Sequence, residues 1–103
     1  MRVIKIENWN EIPKDYTGIA EYADGSKQWF LNGKLHRVGG PAVERANGEK
    51  VWYLNGTCHR VDGPACDYPN GHKEWYLNGK FYGVDDDFTN ESWIRFVRLE
   101  LLK

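Results

Sequence analysis

Polar and hydrophobic residues alternate over three short stretches of this chain, and each stretch carries the same pair of aromatic residues. The tryptophans Trp29, Trp52 and Trp75 follow one another at intervals of 23 residues. Strict alternation over about six residues is typical of a strand with one buried face. The pattern therefore predicts three equivalent strands with their tryptophans on one face. The other face then carries Phe30, Tyr53 and Tyr76.

Glycine-containing dipeptides separate these stretches and form two columns at the same interval. One column holds Asn32-Gly33, Asn55-Gly56 and Asn78-Gly79, and the other holds Asp24-Gly25, Asn47-Gly48 and Asn70-Gly71. Asn, Asp and Gly tolerate the positive φ of type I′ hairpin turns, so both columns predict such turns. Each unit is then a small β-hairpin or a three-stranded meander. Consecutive units are expected to pair edge to edge in one long, twisted antiparallel sheet.

The two ends of the chain depart from this pattern, as the caps of a repeat array do. Residues 1–16 predict an N-terminal strand, Met1 to Glu7, and a connector that covers the first unit. Residues 17–86 hold the three units. In residues 88–103 the apolar positions recur at three and four residues, which predicts an amphipathic helix capped by Thr89 or Asn90. We expect a single, mainly β domain over residues 1–103, with this helix covering one end of the sheet.

Composition narrows the choice of function class. The chain has 14 Lys and Arg residues against 15 Asp and Glu residues, so no global field attracts nucleic acid or an acidic membrane. The apolar runs are too short for a membrane span, and the first residues do not resemble a signal peptide. Two cysteines do not form a disulfide framework. We therefore expect a cytoplasmic protein with reduced thiols.

The repeated unit resembles a known family. The segment from Leu31 to Arg37, followed by Gly40-Pro41-Ala42 and Asn47-Gly48, is similar to the MORN repeat, which also has a period of about 23 residues. The resemblance covers residues 17–85, and this variant looks typical of small proteins of phages, giant viruses and some bacteria. In place of the usual glycine after the histidine, this chain has Arg37 and Arg60. The resemblance implies a β-sheet scaffold for protein contact.

The aromatic columns and the His-Arg pairs are the candidate sites. Because the most regular column of a repeat usually packs internally, we expect the tryptophans to form the spine. Phe30, Tyr53 and Tyr76 are then candidates for an exposed recognition stripe, with cross-strand packing as the alternative. The pairs His36-Arg37 and His59-Arg60 predict either two anion sites or structural contacts within loops.

Metal binding and catalysis have little support in the sequence. Cys58, His59, Cys66 and His72 match no zinc spacing, so no metal site is expected. The acidic run Asp85-Asp86-Asp87 is more typical of a helix N-terminus than of a cation site. No motif of a hydrolase or of a phosphate-binding loop is present, so the chain is not expected to be an enzyme or to need a cofactor. A weaker alternative is an enzyme that uses His59 and Arg60.

Two functions remain as hypotheses. The first is a non-enzymatic protein-binding module. The resemblance to phage proteins implies a phage-encoded inhibitor that occludes a host enzyme or a defence system, of the anti-CRISPR or another anti-defence type. The second is binding of a phosphate-bearing ligand, such as a nucleotide signal, a lipid headgroup or nucleic acid, through Arg37, Arg60, Lys27, Lys50 and Lys73. A homodimer formed through a free sheet edge is also open.

Overall fold

The structure, a computed structural model, describes residues 1–102 of the 103-residue chain. Its strands are β1 (Val3–Ile6), β2 (Gly18–Tyr22), β3 (Lys27–Leu31), β4 (Lys34–Leu35), β5 (Val43–Glu44), β6 (Lys50–Val51), β7 (Tyr53–Leu54), β8 (Thr57–Cys58), β9 (Cys66–Asp67), β10 (Lys73–Leu77) and β11 (Lys80–Val84). Two 3-10 turns lie at Trp9–Glu11 and Asp85–Asp87, and one α-helix, α1, spans Asn90–Leu101. The predicted fold class, mainly β with a C-terminal helix, is confirmed.

Most strands form one sheet of nine, in the order β1-β2-β3-β5-β6-β9-β10-β11, with β4 paired to β3. The strands β7 and β8 form a separate two-stranded hairpin. Within residues 1–102 the strand pairs are antiparallel except that β1 runs parallel to β2. The antiparallel pairing predicted for the repeated units is confirmed, and the N-terminal strand adds a parallel pair that the sequence did not predict. The connector between Ile6 and Gly18 is long enough to carry the chain back to the same end of the sheet.

The two glycine columns form different turns. Asn32, Asn55 and Asn78 have φ of 51°, 50° and 50°, and the glycines that follow also have positive φ, as type I′ turns require. In the other column the glycine alone has positive φ. There the Gly25 N–H donates to the Tyr22 carbonyl and the Tyr22 N–H to the Ser26 carbonyl, which defines a type I turn with a glycine bulge. The type I′ prediction is thus wrong for this second column.

Side-chain oxygens at the second column explain that difference. Asp24, Asn47 and Asn70 each accept a hydrogen bond from the backbone N–H two residues later, at 2.9, 2.9 and 3.0 Å. This local bond stabilises an Asx turn, in which the Asp or Asn itself keeps negative φ. Only the glycine after it must then adopt the left-handed conformation.

Consecutive units are joined at their hairpin tips by the same backbone bonds. The N–H of Gly56 donates to the Leu35 carbonyl, and the N–H of Gly79 donates to the Cys58 carbonyl, both at 2.8 Å. At the N-terminal end the N–H of Gly33 donates to the Tyr16 carbonyl at 2.9 Å. Tyr16 is 2% exposed and its ring lies 6.2 Å from that of Phe30, so the connector covers the first unit.

Two apolar clusters hold the fold together. In the first, Val43, Val51 and Cys66 are buried from adjacent strands, with Leu35, Tyr53, Cys58, Tyr68 and Tyr76 packed against them. In the second, α1 places Trp93 and Val97 against Trp75 and Leu77 of β10. The helix begins after Thr89, whose hydroxyl accepts from the Ser92 N–H at 3.0 Å. The predicted terminal helix is present, and Lys103 at its predicted end lies outside the described residues.

A row of alternating charges crosses the sheet. Directly opposed residues on seven neighbouring strands have opposite signs at each step. In spatial order they are Lys5, Glu21, Lys27, Glu44, Lys50, Asp67 and Lys73. Opposite charges at directly opposed positions stabilise a strand pair, so this row favours the observed register over a shift by one residue.

Candidate functional site

An open groove lies between two loops that occupy equivalent places in consecutive units. Its walls are the loop of Arg37 to Pro41 and the loop of His59 to Asp62, and its floor is formed by Trp52 and Leu54. The groove has a volume of about 560 Å³. We call it the loop groove. It is the size of a site for one or two side chains or for a small ligand.

Backbone bonds between units fix the spacing of the two walls. The Arg37 N–H donates to the Tyr53 carbonyl at 3.2 Å, which ties the first loop to the second unit. The Arg60 N–H makes the corresponding bond to the Tyr76 carbonyl at 3.3 Å. Both walls are therefore anchored to strands of the next unit, and the groove between them is preformed.

Each wall contains an arginine that stacks on the tryptophan of its own unit. The guanidinium carbon of Arg37 lies 4.0 Å from the centroid of the Trp29 ring, and that of Arg60 lies 3.7 Å from that of Trp52. The same guanidinium groups donate to the carbonyls of Pro41 and Pro64, each at 3.1 Å. These bonds close each loop around its arginine. The arginines thus have a structural role, one of the alternatives that the sequence left open.

Acidic side chains partly neutralise the two guanidinium groups. Arg60 pairs with Asp62 at 2.9 Å, and Arg37 lies 3.8 Å from Glu44. The side chains of Arg60 and Arg37 are 20% and 32% exposed. Each guanidinium already contacts a carboxylate, a carbonyl and an aromatic ring. The positive potential that the two arginines add to the loop groove is therefore weak.

The histidines act as hydrogen-bond acceptors between units. Nδ1 of His36 accepts from the Asn55 N–H at 3.0 Å, and Nδ1 of His59 accepts from the Asn78 N–H at 2.9 Å. The hydroxyl of Thr17 takes the same role for the Asn32 N–H at 2.9 Å. Each bond requires Nδ1 to be unprotonated. Burial lowers the pKa of His59 below its ordinary value of 6.5, which favours this neutral form.

The rim of the loop groove is apolar and exposed. Val38 is 82% exposed and Val61 is 46% exposed, one on each wall. Trp52 is only half-buried, whereas Trp29 and Trp75 are buried. The tryptophan column is therefore internal at both ends and reaches solvent in the middle unit, where it meets this groove.

The candidate residues named from the sequence separate into two groups. Arg37, His59 and Arg60 line the loop groove, and His36 lies at the preceding contact between units. Phe30, Tyr53 and Tyr76 are half-buried and do not line the loop groove. Tyr53 and Tyr76 pack against the cluster of Val43, Val51 and Cys66. Across their hairpins Phe30, Tyr53 and Tyr76 are opposed by Leu35, Cys58 and Phe81. These two groups cannot contact one small ligand together.

The burial of this second group is reflected in the pKa values of its tyrosines and of two neighbouring cysteines. Burial raises the pKa of Tyr53 to about 12, and it also raises the pKa of Tyr76. A hydrogen bond from the Cys66 thiol lowers the pKa of Cys58 to about 7, while that same contact and burial raise the pKa of Cys66. Within residues 1–102 no three His, Cys, Asp or Glu side chains are close enough together to hold a metal ion.

The residues that sequence reasoning missed are Val38, Val61 and Trp52. Each valine follows a His-Arg pair in a segment rich in glycine, and an exposed valine at the same place in two units was a usable signal. A second cavity, of about 470 Å³, lies near the N-terminal end between Lys5 and Ala23. Its lining includes Glu7, Glu11 and Glu21 but lacks a comparable apolar rim. The loop groove is the better candidate for this reason.

No helix within residues 1–102 has the length and apolar character that a membrane crossing needs. Comparisons of the chain with models of protein families, with curated proteins and with solved structures gave no match.

Proposed function

We propose that this protein is a non-enzymatic binding module that holds a segment of another protein in the loop groove. The observation that carries the proposal is the preformed groove between two anchored loops, with exposed Val38 and Val61 on its rims and Trp52 at its floor. Exposed apolar side chains around an aromatic floor are typical of sites where a few side chains of a partner are buried.

The state of the arginines favours a protein segment over a phosphate-bearing ligand. A phosphate site needs guanidinium groups whose donors are available for bidentate bonds. Arg60 uses Nε for Asp62 and a terminal nitrogen for the Pro64 carbonyl. Arg37 donates to Pro41 and stacks on Trp29. The lysines of the second hypothesis lie in the row of alternating charges, where Lys50 is opposed by Glu44 and Asp67.

The mode of action that we propose is occlusion: the module covers a functional surface of its partner. The molecule has extents of 40 × 30 × 19 Å, which is large enough to block the active site of an enzyme. The resemblance to repeat proteins of phages supports a bacterial host enzyme or defence protein as the partner.

The test is a selection of random 16-residue peptides, displayed and panned on the full-length protein. Enriched peptides are then measured by fluorescence anisotropy against the wild type, the Val38→Glu variant and the Leu101→Glu variant. Val38 lies on the rim, whereas Leu101 is 71% exposed at the end of α1 and serves as the matched control. We expect peptides whose Kd rises at least tenfold in Val38→Glu and not in Leu101→Glu.

The outcome that contradicts the proposal is a selection in which no peptide depends on Val38. The same assay distinguishes this proposal from the second hypothesis, a phosphate-bearing ligand. Binding of ATP or inorganic phosphate that weakens between 50 and 200 mM salt, because salt screens contacts between charges, would favour a phosphate-bearing ligand. Peptide binding that changes little over this range would favour the apolar groove.

A further inference from the structure

The protein itself contains a second groove of the same kind, and it is filled. Trp93 of α1 is fully buried between the loop of His59 to Asp62 and the third unit. Its indole N–H donates to the Arg60 carbonyl at 2.8 Å. Its ring centroid lies 5.4 Å from that of Trp75 and 5.8 Å from that of Tyr82. We call this site the helix groove.

The helix groove is formed by residues that lie 23 positions after the corresponding residues of the loop groove. The floor residues Trp52 and Leu54 become Trp75 and Leu77, which are both buried in the helix groove. The wall residue Arg37 of the loop groove corresponds to Arg60 in the helix groove. The two grooves therefore have equivalent floors and equivalent first walls. They differ in what covers the floor tryptophan, which is the Arg60 guanidinium on Trp52 in the loop groove and the Trp93 indole against Trp75 in the helix groove.

One substitution between the units explains why the helix groove needs an occupant. The position of Arg37 and Arg60 is Gly83 in the third unit, so Trp75 has no guanidinium of its own to cover it. The indole of Trp93 packs against Trp75 instead, at an angle of 50° between the ring planes. A Cβ at position 83 would lie 2.9 Å from an Asp87 carboxylate oxygen, so an arginine there would have to displace this carboxylate from the Val84 N–H.

In the loop groove the guanidinium of Arg60 is already in place over Trp52. An incoming ring would therefore stack on the outer face of this guanidinium rather than on the indole. Its flanks would contact Val38 and Val61 on the two rims. The Arg37 carbonyl is the counterpart of the Arg60 carbonyl, which accepts the Trp93 N–H in the helix groove.

From this equivalence we infer that the loop groove binds an aromatic side chain, tryptophan best, from an amphipathic helix of the partner protein. The inference rests on the proposed function and specifies the partner's binding element. The α1 helix shows how such a helix lies: Trp93 enters the groove while Phe96 and Val97, three and four residues later, pack beside it. A partner helix would place its own residues at the same spacing across the loop groove.

The α1 sequence itself is the probe that tests this inference. A blocked peptide of residues 88–102 is titrated into the full-length, ¹⁵N-labelled protein, and backbone amide shifts are followed by NMR. Because an isolated helix of this length is marginal in water, we expect weak binding, on the order of 100 μM. Amides of Gly39 and Val61 at the loop groove should shift.

Two variants make the test specific. A peptide with Trp93→Ala should bind at least tenfold more weakly than the wild-type peptide. The affinity of the Val38→Glu protein for the wild-type peptide should fall by a similar factor. The Leu101→Glu protein should bind as the wild type does. Val38 lies on the loop groove and not on the helix groove, so its effect also distinguishes binding in the loop groove from exchange of α1 in its own site.

Three results would overturn the inference: no amide shift at 1 mM peptide, equal binding of the Trp93→Ala peptide, or no effect of Val38→Glu. The peptide selection described for the proposed function separates the two failures. If selected peptides bind the loop groove as extended segments while the α1 peptide does not, the helix inference is wrong and the binding function stands. If no selected peptide depends on Val38, both are wrong.

Discussion

The guanidinium of Arg60 lies 3.7 Å above the ring of Trp52, in the same relation that Arg37 has to Trp29 one unit earlier at 4.0 Å. Trp52 and Arg60 are eight positions apart, on either side of the β7-β8 hairpin, and the bond from Arg60 to the Pro64 carbonyl closes the loop that follows. A single side chain thus shields an indole, orders a loop and forms one wall of the loop groove.

Replacing Arg60 by alanine should destabilise the fold. The variant loses the cation–π contact and the bond to the Pro64 carbonyl, and it exposes one face of Trp52. Together these terms predict a loss of about 2 kcal/mol in the free energy of unfolding. Urea denaturation followed by tryptophan fluorescence would measure it. Arg60→Lys should recover only part of the loss because an ammonium cannot stack as a planar group. Equal stability of wild type and Arg60→Ala would contradict this role.

Gly63 provides the space in which that guanidinium lies. A Cβ at this position would be 2.6 Å from the Arg60 guanidinium carbon, and Gly40 stands in the same relation to Arg37 at 2.8 Å. We expect Gly63→Ala to cost about 1–3 kcal/mol by displacing the stacked group. In an Arg60→Ala background the same change should cost much less, because the clashing atoms are gone. A double-mutant cycle by urea denaturation measures this coupling, and additive effects would show that the clash is not with Arg60.

Much of the fold could be predicted from the sequence because its signals are local. Alternation around Trp29 and Trp75 predicted β3 and β10, whereas the strand predicted around Trp52 is interrupted at that residue, between β6 and β7. Asn-Gly dipeptides predicted the type I′ turns at the hairpin tips. The helix followed from apolar spacing and a threonine cap. These signals act within a few residues. The parallel pairing of β1 was missed because it depends on the path of an irregular connector.

The site was less predictable because its contacts join distant positions. Sequence reasoning found the His-Arg pairs but could not place each arginine on a tryptophan of its own unit or each histidine on the next turn. The lysine column was interpreted as a set of phosphate contacts. The structure places Lys27 opposite Glu44, and Lys50 opposite both Glu44 and Asp67. Such register information exists only once the strands have paired.

Reversing the charge of Lys50 should weaken the sheet. Lys50→Glu places a carboxylate between Glu44 and Asp67, so two favourable cross-strand pairs become repulsive. We expect a loss of about 1 kcal/mol, smaller in 1 M salt because exposed charges are screened. Lys14→Glu, an exposed change in the connector, makes the same difference in net charge and is the control. Thermal unfolding at two salt concentrations would compare them, and equal effects of both variants would show that net charge alone matters.

Acid should weaken the contact between the second and third units through His59. Because burial lowers the pKa of His59 in the folded state, the unfolded chain takes up this proton first as the pH falls. The stability that neutral His59 contributes is therefore fully present above about pH 6.5, its unfolded value, and is lost as the pH falls through the folded-state pKa. In His59→Asn the amide oxygen can accept from the Asn78 N–H at any pH, so the variant should lose less stability between pH 7 and pH 5 than the wild type does.

His72 is a control in the same measurement, because its contribution to the unfolding free energy should change with pH in the opposite direction. Its hydrogen bond to Glu74, followed by that to Asp85, raises its pKa, so its contribution is present below about pH 6.5 and is lost as the pH rises through the folded-state value. The difference in unfolding free energy between wild type and His72→Asn should therefore shrink with rising pH, whereas that between wild type and His59→Asn should grow. Urea denaturation at intervals of half a pH unit would measure both curves. Parallel curves for the two variants would show that His59 does not act as a neutral acceptor between the units.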